Sequence, residues 1–483
     1  MSEIAQLHPE GVFFYFDEIC KIPRASKKEG KIAEYLLNFA ANRGLLSKHD
    51  QAGNILIMKP ASAGMESRPT VVLQSHLDMV CEKNNETVHD FDLDPIIPFI
   101  DENWIKARGT TLGADCGIGI AATLDLLADD QAQHGPLECL FTVDEESGLT
   151  GAKNIESKFF TGKILINLDS EDDGELFIGC AGGIGTQISF VYSKEPVLPQ
   201  FTAFDISITS LQGGHSGDDI NKERGNSIKI LSRFLCEASK RHGIRLSRFE
   251  GGKLHNAIPR EAKAIFVVNQ NSSESLKKDF DLFLNDMLDE YKATEPEMEL
   301  SLLPVETPEY IIDEAIQFEL LHVLRSCPSG VLNMSIEMPG LVETSTNLAS
   351  LNFVNDSVIS ICTSQRSSVE SRKIEASKMI KSLFALTSAN VSSSDGYPCW
   401  KPKLDSRILE ITKSAYFKLF GVEPLVKAVH AGLECGLFSE KYPDLDMISF
   451  GPTIKNAHSP SEKLEISTVD KFQKLIREVL LNV

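Results

Sequence analysis

Basic residues are scarce in this 483-residue sequence, in which 48 Lys and Arg stand against 69 Asp and Glu for a net charge of −21. Nucleic acids and anionic membrane surfaces bind proteins through basic patches, so this balance argues against both as partners. Long apolar runs are also missing, and none reaches the roughly 20 residues of a membrane-spanning helix. We therefore expect a protein that binds neither nucleic acid nor membrane.

Paired cysteines are missing as well, because the ten cysteines are scattered and form no CxxC pair. The basic start and apolar segment of a secretory signal are not found in the N-terminal MSEIAQLHPEG. Low-complexity and heptad segments, which would favour a scaffold protein, are not found either. The scattered cysteines and the missing secretory signal predict a cytoplasmic protein with reduced thiols.

The sequence does contain apolar segments that end in residues able to bind metal. The apolar run at residues 71–73 predicts a buried strand, and His76 and Asp78 follow it. Because residues i and i+2 of a strand point to the same side, the imidazole and the carboxylate arrive together at its carboxyl end. Ligands of open α/β sheets bind at that end.

Later apolar segments also end in, or lead into, acidic residues and one histidine: Asp115, Glu145, Glu146, Asp169 and His458. Each of them, taken alone, is more often a loop residue or a helix N-cap. Together with His76 they offer mixed nitrogen and oxygen donors for two divalent ions. The ordered set therefore predicts a metal centre.

Strands and helices alternate in the first part of the chain, with strands predicted at 137–143 and 163–168 and a helix at 116–129. This order predicts a mostly parallel sheet with helices on both faces. Ser26 is the predicted N-cap of a helix in SKKEGKIAEYLLNFAANRGL. The later GCAGGIG lacks a dinucleotide-binding fingerprint, and we interpret it as close packing or a turn.

From residue 186 to 395 the pattern changes to two weakly similar β-α-β-β-α units with their helices on one face. We interpret this segment as an inserted α+β lid domain with an internal duplication. The α/β catalytic domain then comprises residues 1–185 and 396–483. The catalytic domain must be discontinuous, because His458 and His76 belong to the same predicted metal centre.

A family resemblance rests on the segments SHLDMV, GTTLGADCGIG, DEESGLTGA, NLDSED, GGHSGDDI and NAHSPSE. The sequence resembles the dinuclear zinc metallopeptidases that include carboxypeptidase G, aminoacylase and bacterial dipeptidases. The resemblance covers nearly the whole chain, and the segments are most similar to those of bacterial aminoacyl-histidine dipeptidases.

This resemblance implies two divalent metal ions per chain, zinc in that family, with manganese and cobalt as alternatives. Asp115 would bridge the two ions. His76 and Asp169 would complete one site, and Glu146 and His458 would complete the other. A cis peptide bond would follow the bridging aspartate.

The resemblance also implies three catalytic roles. Glu145 would be the general base for a metal-bridged hydroxide. Asp78 would hold the second nitrogen of His76 and so fix its tautomer. His215, in GGHSG, would help to stabilise the oxyanion of the transition state.

Four residues are candidates for binding the substrate. Asn256 in LHNAIPREA and Arg366 in TSQRSS match polar clamps of the family, and Arg366 would pair with the C-terminal carboxylate of a dipeptide. Glu434 lies between glycines in HAGLECG, which allow close backbone approach, and is the candidate for binding the free amine. His430 would line the same pocket.

We therefore expect a cytosolic dipeptidase of Xaa-His or broader specificity that acts on dipeptides with a free N-terminus. One alternative is an aminoacylase or carboxypeptidase for N-blocked substrates, which would not need the carboxylate of Glu434. Another is a non-catalytic binding protein with the same fold, but such a protein would lack a ligand or the base. The five candidate ligands and the candidate base, Glu145, are all present here.

The oligomeric state stays open between monomer and homodimer. In smaller members of the resembled family the lid is a single unit whose histidine serves the neighbouring subunit. Because the inserted segment is about twice that length, its second unit could take the place of the partner's lid. We therefore expect His215 to act within its own chain.

Overall fold

The computed structural model describes residues 2–355 and 357–483, which form two compact units. Unit 1 comprises the chain up to Cys180 together with residues 400–428 and 433–483. Unit 2 comprises residues 181–399 and 429–432. The domain boundaries predicted from the sequence lie after residues 185 and 395, and the short return of the chain to unit 2 was not among the predictions. Every helix of the described residues is too short or too polar to span a lipid bilayer.

The helices are α1 (Glu10–Cys20), α2 (Gly30–Asn42), α3 (Ala114–Ala128), α4 (Glu145–Gly148), α5 (Thr150–Asn154), α6 (Ser227–His242), α7 (Ser273–Tyr291), α8 (Glu314–Ser326), α9 (Glu370–Phe384), α10 (Arg407–Phe420), α11 (Glu434–Lys441) and α12 (Ile466–Asn482). Two 3₁₀ turns lie at Ile4–Gln6 and Gln270–Ser272.

The strands are β1 (Leu46–His49), β2 (Ile55–Lys59), β3 (Val71–His76), β4 (Pro98–Asp101), β5 (Trp104–Ala107), β6 (Leu137–Thr142), β7 (Ile164–Asn167), β8 (Glu175–Cys180), β9 (Gly182–Val191), β10 (Lys194–Pro196), β11 (Phe201–Thr209), β12 (Gly214–His215), β13 (Arg245–Gly251), β14 (Ala257–Ile258), β15 (Ala262–Asn269), β16 (Glu299–Val305), β17 (Tyr310–Ile312), β18 (Gly330–Met334), β19 (Val342–Val354), β20 (Val358–Ser367), β21 (Asn390–Ser393), β22 (Leu425–Val429), β23 (Asp446–Ser449), β24 (Ile454–Lys455) and β25 (Lys463–Glu465).

Unit 1 is built on an eight-stranded sheet in the order β1-β2-β6-β3-β7-β23-β8-β22. Its central strands β6, β3, β7 and β23 are parallel, and antiparallel pairs flank them on both sides. Every residue of β3, β6 and β7 is buried, as expected for strands covered on both faces. Helix α3 connects β3 to β6, and α4 and α5 lie between β6 and β7. The carboxyl ends of these strands therefore share one edge of the sheet.

Unit 2 is built on a nine-stranded sheet in the order β16-β11-β15-β13-β19-β20-β9-β21, with β18 paired to β19. Its described strand pairs are antiparallel. Helices α6, α7, α8 and α9 contribute Phe234, Phe280, Leu320 and Phe384 to one apolar core. The predicted α/β class with an inserted α+β unit is confirmed. The predicted elements occur in order, whereas their origin in a duplication stays a prediction.

Glycines at the start of β9 allow the close packing that GCAGGIG predicted. A Cβ on Gly183 would lie 2.7 Å from the ring of Tyr397, and a Cβ on Gly182 would lie 2.6 Å from backbone atoms of Tyr397 and Cys399. Because real Cβ atoms do not approach so closely, this part of unit 2 requires glycine. Tyr397 is thereby held beside β9.

Candidate active site

The metal-binding candidates of unit 1 lie at the carboxyl ends of its parallel strands. His76 ends β3, Glu145 and Glu146 open α4 after β6, and Asp169 follows β7 by two residues. Asp115 stands in the first turn of α3, and its peptide bond to Cys116 is cis. The loop after β24 supplies the remaining candidate, His458. We call His76, Asp115, Glu146, Asp169 and His458 the carboxylate–imidazole cluster.

Asp115 lies between the two histidines of this cluster. Its Oδ1 is 3.2 Å from His76 Nε2, and its Oδ2 is 3.2 Å from His458 Nε2. His76 Nε2 also lies 3.1 Å from Asp169 Oδ1, and His458 Nε2 lies 3.1 Å from Glu146 Oε2. Each imidazole nitrogen thus faces Asp115 and one further carboxylate, which is the grouping that the sequence analysis predicted.

Among the described residues, three groups of donor atoms lie close enough together to hold a metal ion. One is Asp115, Glu146 and His458, one is His76, Cys116 and Asp169, and one is His76, Glu145 and Glu146. The first matches a predicted site. The second includes Cys116, which the sequence analysis set aside and whose thiol lies 3.3 Å from the carbonyl of Leu168.

The charges of the cluster suit bound cations. Burial alone would lower the pKa of His76, but Asp169, Asp115 and Asp78 outweigh this effect and raise it well above its usual range. Hydrogen bonds to Asp115 and Glu146 raise the pKa of His458 to about 11. The carboxylates that favour protonation of the His76 and His458 imidazoles would equally stabilise divalent cations bound in place of those protons. The buried Oε1 of Glu146 has no hydrogen-bond partner among the described residues, so a donor atom is still available.

Asp78 supports both His76 and the turn that carries Glu145. Its carbonyl and its Oδ1 lie 3.2 and 3.4 Å from His76 Nδ1. Its carboxylate also accepts the N–H groups of Glu145 at 3.0 Å and Glu146 at 3.2 Å. Although burial opposes ionisation, the hydrogen bond and charge of His76 lower the pKa of Asp78 to about 2. Asp78 therefore stays an ionised acceptor at this strand end.

Ser26 is not the N-cap that the sequence predicted. Helix α2 begins at Gly30 with Glu29 at its N-cap position, and the Ser26 hydroxyl donates a 2.7 Å hydrogen bond to Asp78 Oδ2. The hydroxyl is thus engaged by a carboxylate 52 residues away and does not cap the helix.

Glu145 is half-buried beside the cluster. Removal from water raises its pKa well above its usual range, His76 opposes this effect, and the carboxylates of Asp169 and Glu146 add to it. A carboxylate with a raised pKa can both accept and return a proton near neutral pH. This environment fits the predicted role of a general base.

Glu434 contacts buried polar residues of the unit 1 sheet. It is fully buried at the start of α11, and its Oε2 accepts hydrogen bonds from Gln74 and Thr142, each at 2.7 Å. Gln74 in turn accepts a 2.6 Å hydrogen bond from Asn167. Glu434 Oε1 has no hydrogen-bond partner among the described residues. Burial raises the pKa of Glu434 to about 8, although the hydrogen bond from Thr142 opposes this shift.

The predicted catalytic histidine of unit 2 is held from both of its ring nitrogens. His215 Nδ1 lies 2.9 Å from Asp218 Oδ2, and His215 Nε2 lies 3.4 Å from Arg366 Nη2. Its backbone N–H donates to Asp219 at 2.8 Å. Asn256 contributes through its backbone, because its carbonyl accepts the N–H of Ser216 at 2.8 Å.

Arg366 and His430 also belong to unit 2. Arg366 is largely buried on β20, and its Nη1 donates a 2.8 Å hydrogen bond to the hydroxyl of Tyr397. Its Nε has no hydrogen-bond partner among the described residues. His430 Nε2 lies 2.7 Å from the hydroxyl of Ser345, which is paired with Arg366 across β19 and β20. We call His215, Asp218, Arg366, Tyr397 and His430 the lid cluster.

Several residues that support these clusters were not predicted from the sequence. Asp218 lies three residues after His215, inside the segment GGHSGDDI on which the resemblance rests. Glu462, whose carboxylate accepts backbone N–H groups of the turn before Asp115, is likewise the last residue of NAHSPSE. Tyr397 could not be found from spacing, because it lies 31 residues from Arg366 and outside any motif.

Comparisons with known proteins agree with one another. The model of peptidase family M20/M25/M40 matches residues 72–482. The cytosol non-specific dipeptidase of Escherichia coli (strain K12) is 41% identical over 483 residues, which is 100% of this chain and 99% of that protein. The crystal structure of an aminoacylhistidine dipeptidase from Vibrio alginolyticus is 41% identical, has a TM-score of 0.91, and is matched over 100% of this chain and 98% of its own.

A more distant structure shows the same fold. The aminopeptidase PepT from Bacillus cereus is 17% identical, with a TM-score of 0.56 and 98% of each chain covered. The strand-end donor set of unit 1, the full-length relatives and the family model all agree. The chain therefore belongs to peptidase family M20/M25/M40.

Proposed function

We propose that this protein is a cytosolic dipeptidase that hydrolyses dipeptides with a free N-terminus and uses two divalent metal ions held by unit 1. The observation that carries the proposal is Asp115, whose two carboxylate oxygens each face a different histidine. A carboxylate in this arrangement can be shared by two ions. The names of the two relatives that are 41% identical, a non-specific and an aminoacylhistidine dipeptidase, support the choice of substrate.

Asp115 would contribute to both metal sites, His76 and Asp169 would hold one ion, and Glu146 and His458 would hold the other. When bound, the ions would polarise the scissile carbonyl and lower the pKa of the attacking water. Zinc suits such mixed nitrogen and oxygen donors, and manganese or cobalt would fit the same set.

Glu145 is the proposed general base. It takes a proton from the attacking water as the new C–O bond forms, and it returns that proton to the leaving amine nitrogen as the peptide C–N bond breaks. Asp78 holds His76 and, through two backbone N–H groups, holds the turn of Glu145. The base is therefore positioned by the same carboxylate that orients a metal ligand.

The lid cluster is the proposed substrate-binding group of unit 2. Arg366 would pair with the C-terminal carboxylate of the dipeptide, because a guanidinium offers two parallel donors to a carboxylate. His215, oriented by Asp218, would stabilise the oxyanion of the transition state, and Asn256 and His430 would contact the substrate.

Glu434 is the proposed partner of the free amine, since its buried Oε1 has no hydrogen-bond partner among the described residues. The test is a panel of free and N-acetylated dipeptides, including β-alanyl-histidine. The panel is assayed after chelation and after re-addition of Zn²⁺, Mn²⁺ or Co²⁺. We expect metal-dependent cleavage of the free dipeptides only, and Glu434→Gln should reduce this preference. Equal or faster cleavage of the acetylated series would favour an aminoacylase or carboxypeptidase.

A further inference from the structure

Glu462 binds the backbone of a turn 350 residues away in sequence. Its side chain is 2% exposed. Its Oε2 accepts the N–H groups of Leu112 and Gly113 at 2.7 and 2.9 Å, and its Oε1 accepts those of Ala114 and Asp115 at 2.8 and 3.4 Å. One carboxylate thus satisfies four consecutive backbone donors.

These donors belong to the turn that opens helix α3. The first N–H groups of a helix have no partner within it, and Gly113 adopts a left-handed φ of 69° that suits glycine. The last of the four N–H groups is that of Asp115, which faces both histidines. Glu462 therefore holds the backbone from which Asp115 projects. Glu462 also follows His458 by four residues, so it connects two segments that supply cluster side chains.

Arg24 makes a second connection to the same turn. Its guanidinium is 3% exposed and donates to the carbonyls of Leu77 at 3.0 Å and Asp78 at 2.6 Å. It also donates to the carbonyl of Gly113. The segment that follows His76 is thus tied to the turn before Asp115, and Glu462 ties that turn to the segment of His458.

We propose that Glu462 is a positioning residue of the metal centre, which sets the distance between Asp115 and His458 before any ion binds. This inference rests on the proposed function, because it concerns the affinity of the proposed metal sites. A ligand pair held in place by other bonds loses less freedom when an ion binds. Removal of such a supporting residue typically weakens metal binding by about 10- to 100-fold.

The test compares Glu462→Gln with Glu138→Gln in metal-free protein titrated with Zn²⁺. Glutamine keeps the size of the side chain but turns an NH₂ group toward N–H donors, so some of the four bonds are lost. Glu138 is a matched control because it is buried and accepts the N–H groups of Thr161 and Gly162, each at 2.8 Å. It stands near the start of β6, at the opposite end from the cluster.

We expect Glu462→Gln to raise the Zn²⁺ dissociation constant of at least one site by about 10-fold or more, whereas Glu138→Gln leaves both constants unchanged. The unfolding temperature of each metal-free variant is measured alongside. Wild-type affinity in Glu462→Gln would overturn the inference. Equal weakening in both variants would also overturn it, because the effect would then follow general stability.

A second measurement does not depend on how well the variant folds. In metal-free wild-type protein, the amide hydrogens of residues 112–114 should already exchange slowly, because Glu462 binds them without help from an ion. Fast exchange there, with protection only after Zn²⁺ is added, would overturn the inference. Wild-type protein that binds no metal would refute the proposed function itself, and the inference with it.

Discussion

Units 1 and 2 gather their polar residues in different ways. In unit 1 the candidates His76, Glu145, Glu146 and Asp169 lie at the carboxyl ends of the parallel strands β3, β6 and β7, which share one edge of the sheet. In unit 2 the described strand pairs of the main sheet are antiparallel, and Arg366 stands within β20. His215 lies on the two-residue strand β12, and His430 comes from the four residues that return to unit 2.

This difference separates the chemistry that each unit can supply. A parallel sheet collects the ends of its strands, so several carboxylates can share one site if cations offset their charge. In an antiparallel sheet the carboxyl ends of neighbouring strands lie at opposite edges. The lid cluster of unit 2 therefore depends on loops and cross-strand pairs. We therefore expect changes in the carboxylate–imidazole cluster of unit 1 to alter metal content, and changes in the lid cluster of unit 2 to leave metal content intact while they alter binding of the substrate or its transition state.

Asp115→Ala should have the largest effect, because it withdraws the carboxylate that faces both His76 and His458. We expect fewer than two ions per chain by elemental analysis and activity close to the uncatalysed rate. Asp101→Ala, which removes an exposed ion-pair partner of Lys106, should retain both ions. Two ions per chain in Asp115→Ala would refute the bridging assignment.

Glu145→Gln should retain both ions but lower kcat by at least about 100-fold, as expected for the loss of a general base. Steady-state kinetics and metal analysis on the same preparation separate this result from that of Asp115→Ala. Turnover like that of the wild type would remove Glu145 from the mechanism.

Arg366→Lys should raise KM for free dipeptides by about 10-fold with a smaller change in kcat, because lysine cannot reproduce a paired guanidinium contact. Dipeptide amides, which lack the terminal carboxylate, sharpen the measurement, since their KM should hardly change. Arg372→Lys is the control, because Arg372 is half-exposed and pairs with Glu343. Equal effects on dipeptides and amides would contradict the proposed carboxylate contact.

His430 should make the stability of unit 2 depend on pH. Burial lowers its pKa to about 3 from the ordinary 6.5, and Arg366 adds to the shift. The unfolded chain therefore takes up a proton below pH 6.5 that the folded chain does not, so the free energy of unfolding falls as the pH falls toward 3.

We expect His430 to account for a loss of about 2 kcal/mol between pH 7 and pH 5. Urea unfolding of wild type and His430→Gln at both pH values measures this difference, and exposed His255→Gln is the control. An unchanged pH dependence in His430→Gln would show that this histidine is not kept neutral by its surroundings.

Mixing His215→Ala chains with Glu145→Gln chains should not restore activity. If His215 acts within its own chain, each chain keeps its own defect under conditions that exchange subunits. If His215 serves a neighbouring subunit, a mixed dimer regains one intact site and activity rises well above that of either variant. Recovered activity would therefore refute the expectation that the longer insert lets each chain act alone.

The elements that sequence predicted well are those governed by local pattern. The apolar runs of β3, β6 and β7 are buried on both faces, and the donors after them lie together because parallel strands end at one edge. Each donor is therefore specified by residues within a few positions of it.

The supporting residues could not be predicted in this way. Glu462 and Arg24 act on backbone N–H and C=O groups, which every residue possesses and no side-chain pattern marks. Serine is a common N-cap residue, but the Ser26 hydroxyl donates its hydrogen bond to the carboxylate of Asp78, and the helix begins four residues later. Tyr397 is placed by glycines of β9 that precede it by more than 200 residues. Each of these positions depends on tertiary structure.

The position of β23 in the unit 1 sheet has a consequence for synthesis of the protein. Strand β7 pairs with β3 on one side and with β23 on the other, and 282 residues separate the hydrogen-bonded Asn167 and Ser449. At about 5–20 residues per second, a ribosome needs roughly 15–60 s to supply that partner. Throughout this time the nascent chain carries an apolar strand with one unpaired edge, which is open to association with other chains. We therefore expect this edge to need shielding from other chains until β23 has been made.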